Sequence, residues 1–446
     1  MNLIDNDSAR LTVIDAAKKY FKDFNPPQKF IPGETYIPVT AKVVDEHDLG
    51  LLIDASLDMW LTTGRYAREF ESQFGQYFGR KTKSLLVNSG SSANLLAVSA
   101  LFSHELEKMG HTPMKAGDEV ITVAAGFPTT VNPIIQNNCI PVFVDIDKTT
   151  SNALPETIFA ARTEKTRAVV LAHSLGNPYR ADLVAEWCKK EGLFLVEDCC
   201  DALSATINDA PVGSFGEYAT SSFYPAHHIT MGEGGAVMSK DGRFKKIAES
   251  IRDWGRDCWC EPGKDNTCNK RFGWTLGNLP PGYDHKYIYS HVGYNLKVTD
   301  MQAALGVSQL KKIERFVAAR RKNWKYLYDG VKKSPILSEY FTPIEPTPET
   351  NPSWFGFPMY ASERLSREKV VSQLEERKVG TRLFFAGNLT KQPAYKNINF
   401  RIHGDLKTTD SIMHTMFWIG VHPALDEAKM DYMLEQLEAI TKTALK

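Results

Sequence analysis

SFYPAHHITMGEGG, residues 222–235, is the stretch from which the rest of the chain is best interpreted. It joins two short β-rich runs through an irregular polar turn and a glycine-rich corner. The turn contains two adjacent histidines, His227 and His228, and no lysine occurs between Ala219 and Met238. An imidazole accepts and returns a proton near neutral pH. It cannot hold an aldehyde covalently, as a lysine amine does, so this turn is suited to acid–base chemistry.

Outward from this turn, apolar strands alternate with helical patterns along the chain. Strands with continuous apolar runs are typical of a mostly parallel sheet that helices cover on both faces. Ligands of such sheets bind beyond the carboxyl ends of the strands. We therefore expect an α/β fold with its site at one edge of the sheet. The predicted strands are 85–87, 119–123, 141–144, 168–172, 193–196, 220–224 and 236–239, and the predicted helices are 91–102, 129–136, 154–161, 181–191 and 245–254.

The composition is that of a globular enzyme. The chain has 446 residues, of which 43% are hydrophobic and 24% charged, and 53 basic residues balance 53 acidic ones. A balanced charge gives no argument for binding nucleic acid or an acidic membrane surface. No apolar run approaches the roughly 20 residues of a membrane span. The first five residues, MNLID, lack the basic and apolar runs of a signal peptide, so a cytoplasmic location is expected.

Two domains are predicted from the order of these patterns. A large α/β domain covers 1–320 and includes a Cys-rich insertion at 255–290, which is too long for a passive connector. A helical pattern from 299 to about 328 bridges to a smaller α+β domain at 321–446. That small domain has predicted strands at 354–360 and 379–383, and predicted helices at 364–377 and 426–443. In the large domain, the four-residue spacing of three phenylalanines predicts a core face on a helix: Phe70, Phe74 and Phe78.

Five motifs occur in the order found in one enzyme family. They are NSGSS (88–92), AGFP (125–128), EDCCDA (197–202), SFYPAHH (222–228) and GYNL (293–296). With them the chain resembles the DegT/DnrJ/EryC1/StrS sugar aminotransferase family of pyridoxal-phosphate enzymes. The resemblance implies the aspartate aminotransferase fold (fold type I), with a mostly parallel central sheet and a smaller C-terminal lobe.

The resemblance also assigns residues to the cofactor. From the residues alone, the Gly-Ser-Ser turn is an ordinary helix cap or an anion site, Phe127 is a core residue or a stacking ring, and Asp198 caps a helix or binds a cation. The family pattern favours the second alternative each time. It implies a phosphate cradle of Gly90, Ser91, Ser92 and Ser222, a stacking Phe127, an Asp198 that pairs with the pyridine nitrogen, an Asp201 near the 3-hydroxyl or the substrate, and an Asn295 that reaches the neighbouring subunit's phosphate in a homodimer.

One departure from the family lies in the 222–235 turn. His227 stands where the family has the lysine that binds the cofactor covalently, so the cofactor is expected to be free pyridoxamine phosphate (PMP) and His227 to be the base. Adjacent side chains of an extended segment point in opposite directions, so only one of His227 and His228 faces the cofactor, and the family register selects His227. Tyr224 is expected to face the same pocket.

The second departure is a set of four cysteines, Cys200, Cys258, Cys260 and Cys268, among seven in the chain. Their spacing is unlike ferredoxin or zinc-knuckle runs. From spacing alone, structural free thiols, a zinc site and an iron–sulfur cluster all remain open. Cys199 competes with Cys200 as a ligand.

Within the family, this combination is similar to the PMP-dependent, [2Fe-2S]-containing 3-dehydrases that act on CDP-4-keto-6-deoxyglucose in 3,6-dideoxyhexose and O-antigen biosynthesis. That resemblance implies that the four cysteines bind the cluster, and that an NADH-dependent flavin and iron–sulfur reductase supplies electrons. One alternative is a cluster-free, glutamate-coupled 3-dehydratase of the GDP-4-keto-6-deoxymannose type. The others are an ordinary sugar aminotransferase and a non-catalytic cofactor-binding or zinc protein. The sequence does not name the nucleotide.

Overall fold

The computed structural model describes residues 6–79, 81–258, 260, 263, 265–267, 269 and 271–444. Its helices are α1 (Asn6–Phe24), α2 (Glu46–Leu57), α3 (Arg65–Tyr77), α4 (Gly90–Ala100), α5 (Pro128–Gln136), α6 (Pro155–Ala160), α7 (Ala181–Glu191), α8 (Gly242–Arg252), α9 (Asp300–Leu310), α10 (Ile313–Lys333), α11 (Pro335–Tyr340), α12 (Arg367–Glu376), α13 (Lys407–Thr415) and α14 (Glu427–Ala444). Its strands are β1 (Lys83–Val87), β2 (Glu119–Val123), β3 (Ile140–Val144), β4 (Thr166–Ala172), β5 (Phe194–Asp198), β6 (Thr206–Ile207), β7 (Ala210–Pro211), β8 (Tyr218–Ser222), β9 (Gly235–Ser239), β10 (Phe341–Pro343), β11 (Thr350–Asn351), β12 (Gly356–Ala361), β13 (Thr381–Leu383), β14 (Arg401–Ile402) and β15 (Met416–Gly420).

Within the described residues, eight strands form the central sheet in the order β1-β9-β8-β5-β4-β2-β3-β14. The pairings from β8 to β14 are parallel, and β9 lies antiparallel to both β1 and β8. Alternate residues of β5 enter two different cores, with Leu195 on one face and Val196 on the other. The predicted mostly parallel sheet with both faces covered is therefore confirmed.

A second sheet is built from the C-terminal third of the chain. In the described residues its strand order is β10-β12-β15-β13, and all of its pairings are antiparallel. Side chains of α10, α11, α12 and α14 cover it in a separate apolar cluster. One C-terminal strand, β14, joins the central sheet instead, beside β3. The predicted domain boundary at residue 320 stays a prediction.

The single helix predicted over 299–328 is wrong, because the chain forms α9 and α10 with a break at Lys311 and Lys312. At the break the Lys312 Nζ lies 2.6 Å from an Asp45 oxygen and 2.8 Å from an Asp48 oxygen. Asp48 is buried, and a buried carboxylate needs such a partner. The ion pairs therefore fix the junction between the two helices, which apolar periodicity does not reveal. Elsewhere, Phe70, Phe74 and Phe78 are buried as predicted.

The parallel strands place the motif residues at one edge of the central sheet. Gly90 begins α4 after β1, Phe127 precedes α5 after β2, and Asp198 ends β5. The 223–234 turn connects β8 to β9 at the same edge. Among the described helices, none combines the length and the apolar character that crossing a bilayer requires.

A close main-chain contact joins the central sheet to the segment that precedes β12. Gly176 has a φ of +90°, and a Cβ there would lie 2.1 Å from the Ser353 carbonyl oxygen. Gly192 has a φ of +68° with open space around its Cβ position.

Gly176→Ala should therefore destabilise the fold much more than Gly192→Ala. A left-handed alanine costs about 1–2 kcal/mol, and displacing the main chain adds about 1–3 kcal/mol at Gly176 alone. Urea unfolding midpoints of the two variants measure the difference. Equal midpoints would contradict the close contact.

Candidate active site

A cavity of about 1210 Å³ opens at the carboxyl edge of the central sheet. One wall comes from the motif segments and the other from the C-terminal part of the chain. The residues that line it include Gly90, Ser91, Asn94, Phe127, Thr130, Asp198, Cys200, Asp201, Ser222, Tyr224, His227, Glu233, Phe355 and Arg382. No lysine is among the described residues that line it.

Asp198 is buried at the floor of this cavity and is held by uncharged donors. Its Oδ2 accepts hydrogen bonds from Asn94 Nδ2 at 2.8 Å and from Thr130 Oγ1 at 2.7 Å. Its Oδ1 accepts from the Cys200 amide at 3.1 Å. In the described part of the chain it forms no ion pair with a cationic side chain within 4.0 Å. A buried carboxylate without a cation favours a positively charged ligand group beside it.

His227 lies in the cavity with its Nδ1 3.4 Å from Asp201 Oδ1. Its side chain is 16% exposed, and its ring centre lies 5.1 Å from that of Phe355. Burial raises the pKa of Asp201, and the adjacent His227 partly offsets this rise. A carboxylate at Nδ1 orients an imidazole and leaves Nε2 available for proton transfer.

His228 is in a different environment. It is buried, and its Nε2 lies 2.9 Å from the Ser353 carbonyl oxygen. Burial, with Arg320 nearby, holds the pKa of His228 well below its usual value. Residues 224–229 form a turn instead of the extended segment expected from sequence. The two histidines nevertheless point to different surroundings, and His227 is the one that lines the large cavity.

Three of the four residues of the predicted phosphate cradle line this cavity. Gly90 is required sterically, because a Cβ there would lie 2.5 Å from Ser222 Cβ. Gly90, Ser91 and Ser222 line the cavity. Ser92 does not line it, and its amide is bound by the Ser89 hydroxyl at 3.0 Å as a helix cap. The free amides of the first turn of α4 still offer an anion site.

Three of the residues predicted for the site have exposed side chains. Phe127 is 53% exposed and Tyr224 is 51% exposed, and both line the cavity. The core interpretation of Phe127 is therefore wrong. Asn295 is exposed, pairs through its main chain with Asp253, and lies outside the cavity of its own chain.

The cysteines are distributed over two places. Cys200 is half-buried in the cavity, and burial, with Asp198 nearby, raises the pKa of its thiol well above the usual value. Cys258 and Cys260 interact with each other, and burial raises the pKa of the Cys258 thiol. Cys268 lies outside the described residues. Cys199 is fully buried, with its sulfur 3.7 Å from the Glu197 carbonyl oxygen.

Within the described residues, a cluster of side chains that could bind a metal ion does not include Cys200, Cys258 or Cys260. The single group of three such side chains within 4.8 Å of one another is His173, Glu197 and Cys199, all buried. Main-chain amides of Gly213, Phe215 and Gly216 already bind the Glu197 carboxylate. This group is part of the core, and Cys200, Cys258 and Cys260 are not gathered to that distance.

Sequence reasoning missed several residues of the site. Asn94 and Thr130 hold Asp198, and Glu233 and Arg382 line the cavity. The signal for Asn94 was its position four residues after Gly90, which puts both on one face of α4. Thr130 follows from its place in the first turn of α5. No sequence pattern singles out Arg382, because it comes from the other sheet.

Comparison with known proteins shows the family to which the chain belongs. A model of the DegT/DnrJ/EryC1/StrS aminotransferase family matches residues 43–438, and the chain belongs to this family. The lipopolysaccharide biosynthesis protein RfbH of Salmonella typhimurium is 50% identical over 434 residues, which cover 97% of this chain and 98% of that protein. The dTDP-4-dehydro-2,6-dideoxy-D-glucose 3-dehydratase of Saccharopolyspora spinosa is 49% identical over 439 residues, which cover 98% of this chain and 93% of that protein.

Among solved structures, the Escherichia coli GDP-4-keto-6-deoxy-D-mannose-3-dehydratase with bound hydrated PLP is similar with a TM-score of 0.79 and 28% identity. The match covers 91% of this chain and 100% of that one. The predicted fold of the family's pyridoxal-phosphate enzymes is confirmed.

The two adjacent histidines should differ in chemical accessibility. Diethyl pyrocarbonate at pH 7 should modify His227 and leave His228 unmodified, because His228 is buried against Ser353. Tandem mass spectrometry of peptides locates the modification. The exposed His104 is a positive control, and the fully buried His173 a negative one. Equal modification of His227 and His228 would contradict the geometry.

Proposed function

We propose that this protein removes the C3 hydroxyl of a nucleotide-linked 4-keto-6-deoxyhexose, with PMP as cofactor and His227 as the base. The observation that carries the proposal is the cavity, which presents His227 and Asp198 but no lysine among its described lining residues. Two similar proteins are named as 3-dehydratases of nucleotide sugars, linked to dTDP and GDP respectively. The sequence resemblance favours a CDP-linked substrate.

The residues present fit PMP. Asp198 is a buried carboxylate without a cationic partner among the described residues, so it would hold the protonated pyridine nitrogen. Gly90, Ser91 and Ser222 would hold the phosphate at the start of α4. Phe127 has its ring in the cavity and would lie against the pyridine ring. When bound, PMP supplies an amine for the C4 ketone and a ring that accepts electron density.

The chain's own contribution to the reaction is proton transfer. Asp201 orients the His227 imidazole through Nδ1, so Nε2 takes a proton from the reacting carbon. The same Nε2 then returns a proton to the C3 hydroxyl as it leaves. Tyr224 lines the cavity three residues before His227, and we assign it to contact with the sugar.

We further propose that Cys200, Cys258, Cys260 and Cys268 hold a [2Fe-2S] cluster. Four thiolates are the donor set of such a cluster, whose chemistry is one-electron transfer. Support comes from the pairing of Cys258 with Cys260 and from Cys200 in the cofactor cavity. The described residues do not bring these three thiols together. An external NADH-dependent flavin and iron–sulfur reductase would supply the electrons.

We also propose a homodimer with shared active sites. Asn295 is exposed and outside its own cavity, as required of a residue that serves the other subunit's phosphate. Oligomers of this kind are usually closed and two-fold symmetric.

The alternative is a cluster-free, glutamate-coupled 3-dehydratase. It is favoured by the separation of Cys200 from Cys258 and Cys260. An ordinary aminotransferase is disfavoured, because His227 occupies the lysine position.

His227→Asn should lower turnover of the 4-ketosugar by about 10²–10⁴-fold, because general-base catalysis is lost. PMP affinity should stay within a few-fold of wild type, because Asp198 and the phosphate cradle remain. Product formation by mass spectrometry and PMP titration by absorbance measure the two quantities. His228→Asn is the matched control and should retain turnover. Wild-type turnover in His227→Asn would exclude His227 as the base.

Protein purified anaerobically should contain iron and acid-labile sulfide. After dithionite reduction it should give the electron paramagnetic resonance signal of a [2Fe-2S] cluster that has gained one electron. Cys200→Ser and Cys258→Ser should lose the iron, since each removes a thiolate ligand. Cys199→Ser and Cys188→Ser, which alter buried cysteines, should keep it. Absence of iron and signal, even after reconstitution, would favour the glutamate-coupled alternative.

A further inference from the structure

Arg320 of α10 is a fully buried cation behind the His227 turn. Its side chain is among the largest that are fully buried, and it forms no ion pair with a carboxylate in the described part of the chain. Burial lowers its pKa to about 10, so it remains charged at neutral pH. Burying a charge without a paired ion is costly, and this residue therefore requires a structural or functional reason.

The guanidinium binds main-chain carbonyl groups of two segments. Its Nη1 donates to the Trp354 and Phe355 carbonyls at 3.3 and 3.2 Å. Its Nη2 donates to the His227 carbonyl at 3.3 Å. The Phe355 ring, which lies against the His227 imidazole, also has the Arg320 guanidinium carbon 5.8 Å from its centre. Arg320 therefore holds both the backbone of His227 and the ring that supports its imidazole.

These contacts connect α10 to both sides of the His227 side chain. Within the described residues, Arg320 donates to the main chain of the turn on one side and to the main chain of the Phe355 segment on the other. Loss of the guanidinium would leave these buried carbonyl groups without this donor, and unsatisfied buried polar groups destabilise the segment that carries them.

We propose that Arg320 is a positioning residue for His227: it ties the main chain of the turn to the Phe355 segment that supports the imidazole, so that the imidazole stays directed into the cavity. This role rests on the proposed function of His227 as the base. Arg320 does not line the large cavity, so it acts through His227 and not on the substrate.

The neighbouring Arg321 provides a matched control. It lies on the same helix and donates to the carbonyls of Pro352, Ser204 and Asn351 at 2.9, 3.0 and 3.4 Å. Within the described residues these hydrogen bonds do not reach the His227 turn, and they tie α10 to the segment that precedes Ser353. Substituting it therefore tests a general loss of charge and of packing at almost the same place.

The test measures the rate at which diethyl pyrocarbonate modifies His227 at pH 7 in the cofactor-free protein. Arg320→Met should raise this rate several-fold, because a turn no longer tied to the Phe355 segment opens locally more often. Arg320→Lys, which keeps a donor but not the planar guanidinium, should give an intermediate rate. Arg321→Met should leave the rate unchanged. Equal rates in Arg320→Met and wild type, or equal increases in Arg320→Met and Arg321→Met, would overturn the proposal.

Turnover gives an independent readout. Arg320→Met should lower kcat by about 10–100-fold through misplacement of His227 and leave KM unchanged. If Arg320→Met does not fold, the kcat values of Arg320→Lys and Arg321→Lys are compared instead. A kcat lowered in Arg320→Lys alone supports the positioning role, and equal kcat values in the two variants overturn it. If no 3-dehydration occurs but the modification rate of His227 rises as expected, the proposed function fails and the role of Arg320 in positioning His227 stands.

Discussion

The burial of the Asp198 carboxylate is the constraint on which the site depends. Asn94 of α4 and Thr130 of α5 bind one of its oxygens, and Thr220 of β8 binds Asn94 in turn, at 2.5 Å. Two helices and two strands are thereby fixed around a negative charge. Hydrogen bonds to a charged group contribute roughly 1.5–3 kcal/mol each, yet they do not neutralise it. The fold therefore maintains a position for a cation at the end of β5, which the pyridine nitrogen of the family's cofactor suits.

A second set of contacts holds His227, to which we assign the proton transfer. The 223–234 turn carries no amine, and its imidazole at His227 is held by Asp201 on one side and Phe355 on another. Ser353 and Phe355 belong to the segment that precedes β12, and the main chain of that segment is bonded to Leu175 and Gly176. The proposed base is therefore supported from the C-terminal part of the chain, whereas Asp198 is supported from the central sheet. Replacing a covalent anchor by a positioned base requires both supports.

Much of this arrangement follows from the sequence. Continuous apolar runs such as 193–196 predicted the parallel strands, and the order of the motifs predicted that Asp198 and His227 would meet at one edge. The break at Lys312 was missed because it depends on distant carboxylates in α2, a helix that the patterns also missed. Arg320 and Arg321 are adjacent basic residues in one helical pattern, and the surrounding sequence does not indicate which of the two is buried. Contacts between distant segments, such as that of Arg382 with the cavity, have no local signature.

The central claim is that the cofactor is held without a covalent bond to the protein, at a site where His227 moves the proton. The most direct measurement is borohydride reduction of the protein with one equivalent of pyridoxal phosphate, followed by intact-mass and peptide mass spectrometry. We expect tight binding of pyridoxal phosphate before reduction and no covalent mass increment afterwards. A stoichiometric increment on a single lysine would contradict it.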